Sequence, residues 1–196
     1  MARPAKRDAV LATAKRLFYR DGIRATGIDR ILDEAGVARM TLYNHFAGKD
    51  ELIAAALQER SGEFRAWLQA EVEQRATDPR ERLLAVFDVV GDWIRGERAG
   101  QGFAGCAFIK AAAEYGDSDD PVHRLAAGHK AALRSDLAAL ARAAGAAQPE
   151  DLAARLLMLV DGAIVTAQVS GDAAAALWAR ELAGLLLASE LPPAAP

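Results

Sequence analysis

The sequence predicts an all-α protein, and three observations support this. Alanine and leucine, which are strong helix formers, account for most of an apolar content of 52%. Apolar residues recur at the spacing of amphipathic helices, whereas no long stretch alternates apolar and polar residues as a half-buried strand would. Glycine, proline and N-cap residues divide the chain into about nine segments, of which the second and third are short and most later ones long.

Charge is unevenly distributed along the chain, although the net charge is only −3. Residues 1–50 contain ten Lys and Arg against six Asp and Glu, whereas the remainder contains fourteen against twenty-one. A basic segment on an acidic body indicates an anionic partner for that segment, with nucleic acid as the first candidate. We therefore expect a head at residues 1–49 and a larger helical body at residues 50–196.

The first predicted helix covers about residues 6–20 and has one apolar face. It ends at Asp21 and Gly22, where glycine can adopt the left-handed conformation of a C-cap. The second helix is predicted to start at Thr26, which forms a capping-box-like pair with Asp29.

A tight turn at Gly36 follows, and a short third helix is predicted over residues 38–46. Leu42 and Phe46 face inward on this helix, so its other side can project polar groups. This is the arrangement of a helix-turn-helix, in which a short helix enters the major groove of DNA while its opposite face stays packed. The expected DNA contacts are Thr26, Arg39, Met40, Thr41, Tyr43, Asn44, His45 and Lys49.

The residue types within this set suggest two roles. Arg39 can donate two hydrogen bonds to guanine, and Thr41 can contact a thymine methyl group. Met40 and Asn44 are also expected to face bases. Tyr43 and His45 are better placed as phosphate donors. Thr26 and Lys49 lie at predicted helix N-termini, where backbone N–H groups and the helix dipole favour a phosphate. The alternative is a plain helical hairpin in a helical bundle.

The body is predicted to contain longer helices. Asp78 is a predicted N-cap, because Pro79 follows it at the first helical position and Glu81 lies at the third. A glycine-rich loop spans residues 96–105. The predicted helices of the body cover about residues 50–75, 79–94, 106–115, 121–144, 149–170 and 173–187.

Residues 10–53, and above all the run AGVARMTLYNHFAGKDEL, resemble the DNA-binding domain of the TetR family of bacterial transcriptional regulators. Two positions depart from the family pattern. Leu32 stands where the family often has a small residue. Ala38 stands where Ser or Thr usually caps the third helix, so that cap is missing, at a cost of about 1 kcal/mol. The matching residues are Phe18, Asp21, Gly22, Thr26, Ile31, Ala35, Gly36, Val37, Thr41, Leu42, Tyr43, His45, Phe46, Lys49, Asp50, Glu51 and Leu52.

The resemblance implies a homodimer that binds a palindromic operator, usually as a repressor released by a small molecule. In that family the last two long helices of each chain form the dimer interface, a role that fits residues 149–170 and 173–187 here. The alternative is an ordinary core helix in a monomer. The expected interface residues are Leu156, Val160, Ala163, Ile164 and Ala167.

The resemblance also implies an effector pocket among the body helices. A lining of aromatic and apolar side chains with few polar anchors suits a mainly apolar effector. The candidate lining residues are Phe64, Trp67, Phe87, Trp93, Phe108, Tyr115, His123 and Met158.

Other functions have less support in the residues. His123 and His129 lie six positions apart, on different faces of a helix, so we expect no metal site. No catalytic constellation or cofactor motif is recognisable, so we expect neither enzymatic activity nor a cofactor. Two alternatives stay open: a thiol-based redox regulator acting through Cys106, and a helical ligand-binding or interaction protein with weak DNA binding.

We expect a cytoplasmic protein. The single cysteine, Cys106, excludes an intrachain disulfide framework, and the basic N-terminus lacks the uninterrupted apolar run of a signal peptide. The most apolar long window, residues 152–170, contains Arg155 and Asp161, which argues against a membrane span.

Overall fold

The structure is a computed structural model that describes residues 3–97 and 102–192, and in this part of the chain all regular secondary structure is helical. The all-α prediction is therefore confirmed. The helices are α1 (Arg3–Asp21), α2 (Ile28–Ala35), α3 (Arg39–Tyr43), α4 (Lys49–Arg75), α5 (Pro79–Ile94), α6 (Ala107–Glu114), α7 (Pro121–Ala143), α8 (Pro149–Ser170) and α9 (Ala175–Glu190).

The chain divides into two compact units. Unit 1 comprises residues 1–64 and 107–129, and unit 2 comprises residues 65–106 and 130–196. Both α4 and α7 are continuous helices that contribute to each unit. The predicted boundary after residue 49 follows the helix-turn-helix alone, whereas the compact units also group α6 with the first three helices.

The core of unit 1 is formed where α1, α2 and α3 pack on one another. Val10, Ala14 and Leu17 lie at the helical spacing predicted for α1 and are fully buried. From α2, Ile31 and Leu32 are buried against them. Apolar stripes on short helices thus make a small core, as the sequence predicts.

The core of unit 2 is formed by α5, α8 and α9, which pack on one another. The predicted start of α5 is confirmed, since the Asp78 side chain accepts hydrogen bonds from the backbone N–H groups of Arg80 and Glu81 at 2.9 and 3.0 Å. Among the described helices, α8 alone is long and apolar enough to cross a bilayer. The buried residues of α8 pack against α5 and α9 in the core of unit 2.

Helices α2 and α3 differ at their ends from the sequence-based prediction. Helix α2 starts at Ile28 with Gly27 as N-cap, and no side chain caps it. The predicted capping box between Thr26 and Asp29 is therefore wrong. Helix α3 ends at Tyr43, three residues earlier than predicted.

Candidate nucleic-acid interface

The turn between α2 and α3 is built by Gly36. Its φ of 65° is left-handed, a conformation that glycine adopts without steric cost. The Gly36 and Val37 N–H groups donate to the carbonyls of Asp33 and Leu32, which closes the C-terminus of α2. The predicted turn is confirmed, and it directs the chain into α3 after only two further residues.

The inward face of α3 anchors it to unit 1. Leu42 and Phe46 are buried, as predicted. The Phe46 N–H donates to the Leu42 carbonyl at 2.8 Å, so the residues after α3 continue as a turn that keeps Phe46 on the buried side. The Arg7 guanidinium lies 5.2 Å from the centre of the Phe46 ring, within the range of a cation–π contact.

The outward face of α3 is exposed and chemically mixed. Met40, Tyr43 and Asn44 are exposed, with Met40 at 69%. Thr41 and His45 are partly buried. The α3 surface, which we define as Arg39, Met40, Thr41, Tyr43, Asn44 and His45, thus presents donors, acceptors and one thioether over an apolar base.

Arg39 is the first residue of α3 and contacts α2. Its Nη2 donates to the Asp29 carboxylate in an ion pair between two exposed side chains. The preceding residue, Ala38, is extended at φ −71° and ψ 151°, and provides no side-chain cap. The missing cap expected at Ala38 is confirmed, so the first turn of α3 depends on the turn at Gly36 and on the burial of Leu42.

Thr26 is placed differently from the prediction. Its side chain is fully buried, and its hydroxyl donates to the Gly22 carbonyl at 2.7 Å. The hydroxyl therefore joins the end of α1 to the start of α2, and it has no solvent-facing position from which to bind phosphate. Thr26 is a structural residue of the joint between these helices.

Lys49 is the first residue of α4 and is partly buried. The first turn of α4 also contains Asp50 and Glu51, and the Glu51 carboxylate accepts a hydrogen bond from the Ala47 N–H at 2.5 Å. These acidic side chains already interact with the positive end of the helix dipole. A phosphate at this helix end would therefore depend on the Lys49 ammonium as well as on the backbone.

Helix α6 holds the joint between α1 and α2, which sequence reasoning missed. The Glu114 carboxylate accepts hydrogen bonds from the Ile23 and Arg24 N–H groups at 2.9 and 2.6 Å. Lys110 donates to the Tyr19 carbonyl at the end of α1. These partners are about ninety residues apart in sequence, so no local pattern predicts the contact.

Helix α1 is joined to α4 by two ion pairs. Lys15 donates to the Glu59 and Glu63 carboxylates, both at 2.5 Å. Burial by itself lowers the pKa of Lys15, but the two carboxylate hydrogen bonds outweigh it and raise that pKa. Lys15 therefore stays charged across the physiological range. Beside it, α1, α4 and α6 line a solvent-open recess whose charged residues are Lys15, Arg60, Lys110 and Glu114.

Four of the eight predicted effector residues lie in unit 1. Phe108 is buried and stacks on the His129 imidazole at 3.6 Å between ring centres, and Phe64 lies edge-on to the same imidazole at 5.9 Å. Tyr115 is packed under the Arg24 guanidinium, and burial raises the pKa of its hydroxyl. His123 Nδ1 lies 2.8 Å from the Tyr115 carbonyl oxygen.

His129 is a site candidate that the sequence analysis considered only as a metal ligand. It is buried, and its Nδ1 lies 2.8 Å from the Ser61 hydroxyl. Its position on the apolar stripe of α7, with Ala126 before it and Leu133 after it, was the available signal. A histidine on a buried helical face is expected to have a polar partner or to face a cavity.

The other four predicted effector residues lie in unit 2 and differ in exposure. Phe87 and Trp93 are buried, and Trp93 meets Phe103 edge-on at 5.2 Å. Trp67 is partly buried. Met158 is 73% exposed, so it lies on the surface of α8.

The five predicted interface residues of α8 are all buried inside the chain. They pack in the core of unit 2, where α8 meets α5 and α9, and at most 6% of any of them is exposed. This corrects the placement of Leu156, Val160, Ala163, Ile164 and Ala167. The large apolar residues that α8 and α9 expose, which we call the α8–α9 apolar surface, are Met158, Val165, Val169, Leu177, Trp178, Leu182 and Leu185.

Other reactive groups are separate from these surfaces. Cys106 is a free, buried thiol immediately before α6. Among the described residues, no three His, Cys, Asp or Glu side chains are grouped so that they could hold a metal ion.

Two family profiles match the chain. Residues 10–56 match the bacterial regulatory proteins of the tetR family, and residues 79–183 match the tetracyclin repressor-like C-terminal domain. The first match contains the helix-turn-helix, and the second covers more than half of the chain.

Two curated relatives from Mycolicibacterium smegmatis match the N-terminal part. The HTH-type transcriptional activator FasR is 33% identical over 100 residues, which is 51% of this chain and 45% of the relative. The HTH-type transcriptional repressor KstR2 is 33% identical over 85 residues, which is 42% of this chain and 40% of the relative. The chain thus spans less than half the length of these relatives.

Solved structures extend the similarity to nearly the whole chain. A TetR-family transcriptional regulator from Streptomyces coelicolor is 35% identical with a TM-score of 0.84, and 94% of this chain aligns with 89% of that one. A regulator described as putative, from Streptomyces avermitilis, is 33% identical with a TM-score of 0.80, over 94% and 97% of the two chains. From its helix-turn-helix to its C-terminal helices, the chain belongs to the TetR family of bacterial regulatory proteins.

Proposed function

We propose that this protein is a homodimeric transcriptional repressor that binds a palindromic operator through α3 and is released by a small, mainly apolar effector. The observation that supports it most directly is the α3 surface. A short helix held by buried Leu42 and Phe46 presents polar side chains outward, which is what base reading in the major groove requires.

Base reading is assigned to Arg39, Met40, Thr41 and Asn44. The Arg39 guanidinium can donate to O6 and N7 of guanine, and the Asn44 amide can pair with N6 and N7 of adenine. Met40 and the Thr41 methyl group supply apolar contact with thymine. Tyr43, His45 and Lys49 are assigned to the phosphates, which set the position of α3 on the duplex but carry no sequence information.

Dimerisation is assigned to the α8–α9 apolar surface. Seven large apolar side chains on two adjacent helices exceed the scattered exposure that is normal for a monomer, and such patches mark interaction sites. A twofold dimer would place two α3 helices in successive major grooves, about 34–36 Å apart. The operator would then be palindromic, because its half-sites follow the symmetry of the protein.

Effector control is assigned to the aromatic cluster around His129. Phe108 and Phe64 provide an apolar lining, and the imidazole and Ser61 provide a polar anchor. An effector that binds better when the two α3 helices are further apart shifts the population away from the DNA-bound state. We propose repression because occupancy of a promoter alone blocks transcription, whereas activation needs a further contact with the polymerase.

The test is to select duplexes from a random pool with the purified protein. The most enriched duplex is then titrated by fluorescence anisotropy at several salt concentrations. We expect a palindrome bound at least about 10³-fold more tightly than a scrambled duplex. Failure to enrich any sequence, together with no binding at low salt, would reject the proposal.

Two variants separate the assigned roles. Arg39→Ala should relax the preference at one base pair of each half-site, at a cost of about 1–3 kcal/mol. Lys49→Ala should weaken all DNA about equally and lower the salt slope by about one per protomer. Equal behaviour of the two variants would contradict the division between base and phosphate contacts.

A further inference from the structure

We propose that Asp29 determines DNA specificity by holding Arg39 in the geometry that reads a base. The inference rests on the proposed function and deepens it. It concerns a carboxylate on α2, a helix to which the DNA contacts above assign no residue. The carboxylate accepts a hydrogen bond from Nη2 of Arg39, ten residues further along the chain.

The ion pair has no evident role in stability. The side chains of Asp29 and Arg39 are 75% and 60% exposed, and exposed ion pairs contribute little to folding because water screens them. A carboxylate beside a DNA-reading arginine also repels the phosphate backbone. Asp29 therefore weakens binding to DNA in general. Its contact with Arg39 must serve something other than affinity for DNA.

The chemistry of the guanidinium suggests that role. Arginine carries five N–H donors in a rigid planar fork, at the end of a flexible side chain. When one Nη2 hydrogen is held by Asp29, the fork is fixed relative to α3 and its remaining donors stay free for the two acceptors of guanine. The ordering of the side chain then occurs before DNA binds, so less entropy is lost on binding.

The same contact between Asp29 and Arg39 reduces the binding of Arg39 to phosphates of non-specific DNA. A free guanidinium pairs equally well with any phosphate, since phosphates accept hydrogen bonds from arginine at every position of the duplex. A guanidinium already paired with a carboxylate has its charge partly neutralised. Asp29 should therefore weaken binding to scrambled DNA more than binding to the operator.

Helix α2 supplies a matched control. Asp33 lies one turn further along the same helix and is exposed, and it forms an ion pair with none of the described cations. Asp29→Asn and Asp33→Asn remove the same charge from the same helix, and only the first weakens the contact with Arg39, because it replaces the charged acceptor by a neutral amide oxygen.

The experiment measures dissociation constants of the full chain for the selected operator and for a scrambled duplex of equal length, at a series of KCl concentrations. The proteins are the wild type, Asp29→Asn, Asp33→Asn, Arg39→Ala and the double variant Asp29→Asn with Arg39→Ala. Thermal unfolding of each protein checks that the fold is retained.

We expect Asp29→Asn to lower the preference for the operator by about 10-fold, mainly because scrambled DNA binds more tightly. Asp33→Asn should tighten both duplexes alike and leave the preference within about twofold of the wild type. The double variant should prefer the operator over the scrambled duplex at least as strongly as Arg39→Ala does, because Asp29 acts through Arg39.

An equal effect of Asp29→Asn and Asp33→Asn would overturn the inference, since Asp29 would then act only as a surface charge. An additive loss in the double variant would overturn it as well. Both results leave the proposed function intact, because the wild type still prefers its operator. If the wild type prefers no sequence, both the proposed function and this inference are rejected.

Discussion

The α3 surface and the α8–α9 apolar surface are both exposed, yet they differ in chemistry. The first presents mostly polar groups on a five-residue helix and on the two residues that follow it, above the buried Leu42 side chain. The second presents large apolar side chains on two long helices. Exposure alone says little about a partner. The polar surface suits a hydrated polyanion, and the apolar surface suits a second copy of the same surface.

The two surfaces also differ in how tightly burial constrains them. On α8, Ile164 is 3% exposed and its neighbour Val165 is 40% exposed, so adjacent residues divide between the core and the surface. On α3, only Leu42 is buried, and most of the other side chains are exposed to solvent. Substitutions that affect one surface and spare the other sharpen this comparison.

The largest expected effect comes from Leu182→Asp on α9, where 53% of the residue is exposed. A carboxylate in an apolar dimer interface would be desolvated without a partner, so the dimer should dissociate. Losing the second half-site should then reduce operator affinity by at least about 100-fold. Size-exclusion chromatography with light scattering gives the oligomeric state, and operator titration gives the affinity.

Ala131→Asp is the control for this variant, because it adds the same charge to an exposed position of α7. It should leave both the oligomeric state and the operator affinity unchanged. A Leu182→Asp protein that remained dimeric would show that the α8–α9 apolar surface is not the interface.

The next effect distinguishes the core of α8 from its surface. Ile164→Ala should lower the free energy of unfolding by about 2–5 kcal/mol, because it leaves a cavity in the core of unit 2. Thr166→Ala, at an exposed position of α8 outside the α8–α9 apolar surface, should change it by less than about 1 kcal/mol. Urea unfolding at one protein concentration measures both values. Similar values for the two variants would indicate that the assigned burial along α8 is wrong.

A smaller effect is expected at the contact between α6 and the joint of α1 with α2. Glu114→Ala leaves the Ile23 and Arg24 N–H groups without their acceptor, at a cost of about 1–3 kcal/mol. The amide hydrogens of these two residues should exchange faster with solvent, and operator affinity should fall by about 3- to 10-fold. Hydrogen exchange measured by NMR reports the amides directly.

Glu114→Gln is the graded variant for that test. Its amide oxygen retains one acceptor without the charge, so its effect should lie between those of the wild type and Glu114→Ala. Unchanged amide exchange in Glu114→Ala would show that the carboxylate does not hold this joint.

The smallest effect is a pH dependence at the end of α1. Hydrogen bonds from Arg20, with further help from Arg30, lower the pKa of Asp21 to about 2. A lowered pKa stabilises the fold above the usual value of 3.8, and this contribution is lost as the pH falls through about 2. Asp21→Asn should therefore slightly lower the melting temperature at pH 5–6, and the difference should shrink towards pH 2. A difference that is the same at every pH would contradict this assignment.

Local features were predictable from the sequence because their causes lie within a few residues. Gly36 sets the turn by its backbone freedom, and Asp78 caps α5 through two N–H groups that follow it directly. Leu42 and Phe46 lie at helical spacing, so their shared burial follows from periodicity. The all-α class and the helix-turn-helix rest on features of this kind.

Other features depended on contacts between distant parts of the chain. A broad apolar stripe on α8 does not reveal which side meets α5 and α9, so the predicted interface residues proved to be core. Thr26 suits an N-cap in sequence, but in the fold its hydroxyl bonds the Gly22 carbonyl at the end of α1.

By itself, the sequence determined the helices, the turn that directs α3 and the polar character of the α3 surface. Only the tertiary structure decided that Asp29 meets Arg39, that Glu114 holds the joint of α1 and α2, and that His129 lies against Phe108. The physical reason is range. Helix propensity, capping and amphipathic spacing act within about one or two turns, whereas these pairings arise when helices pack against one another.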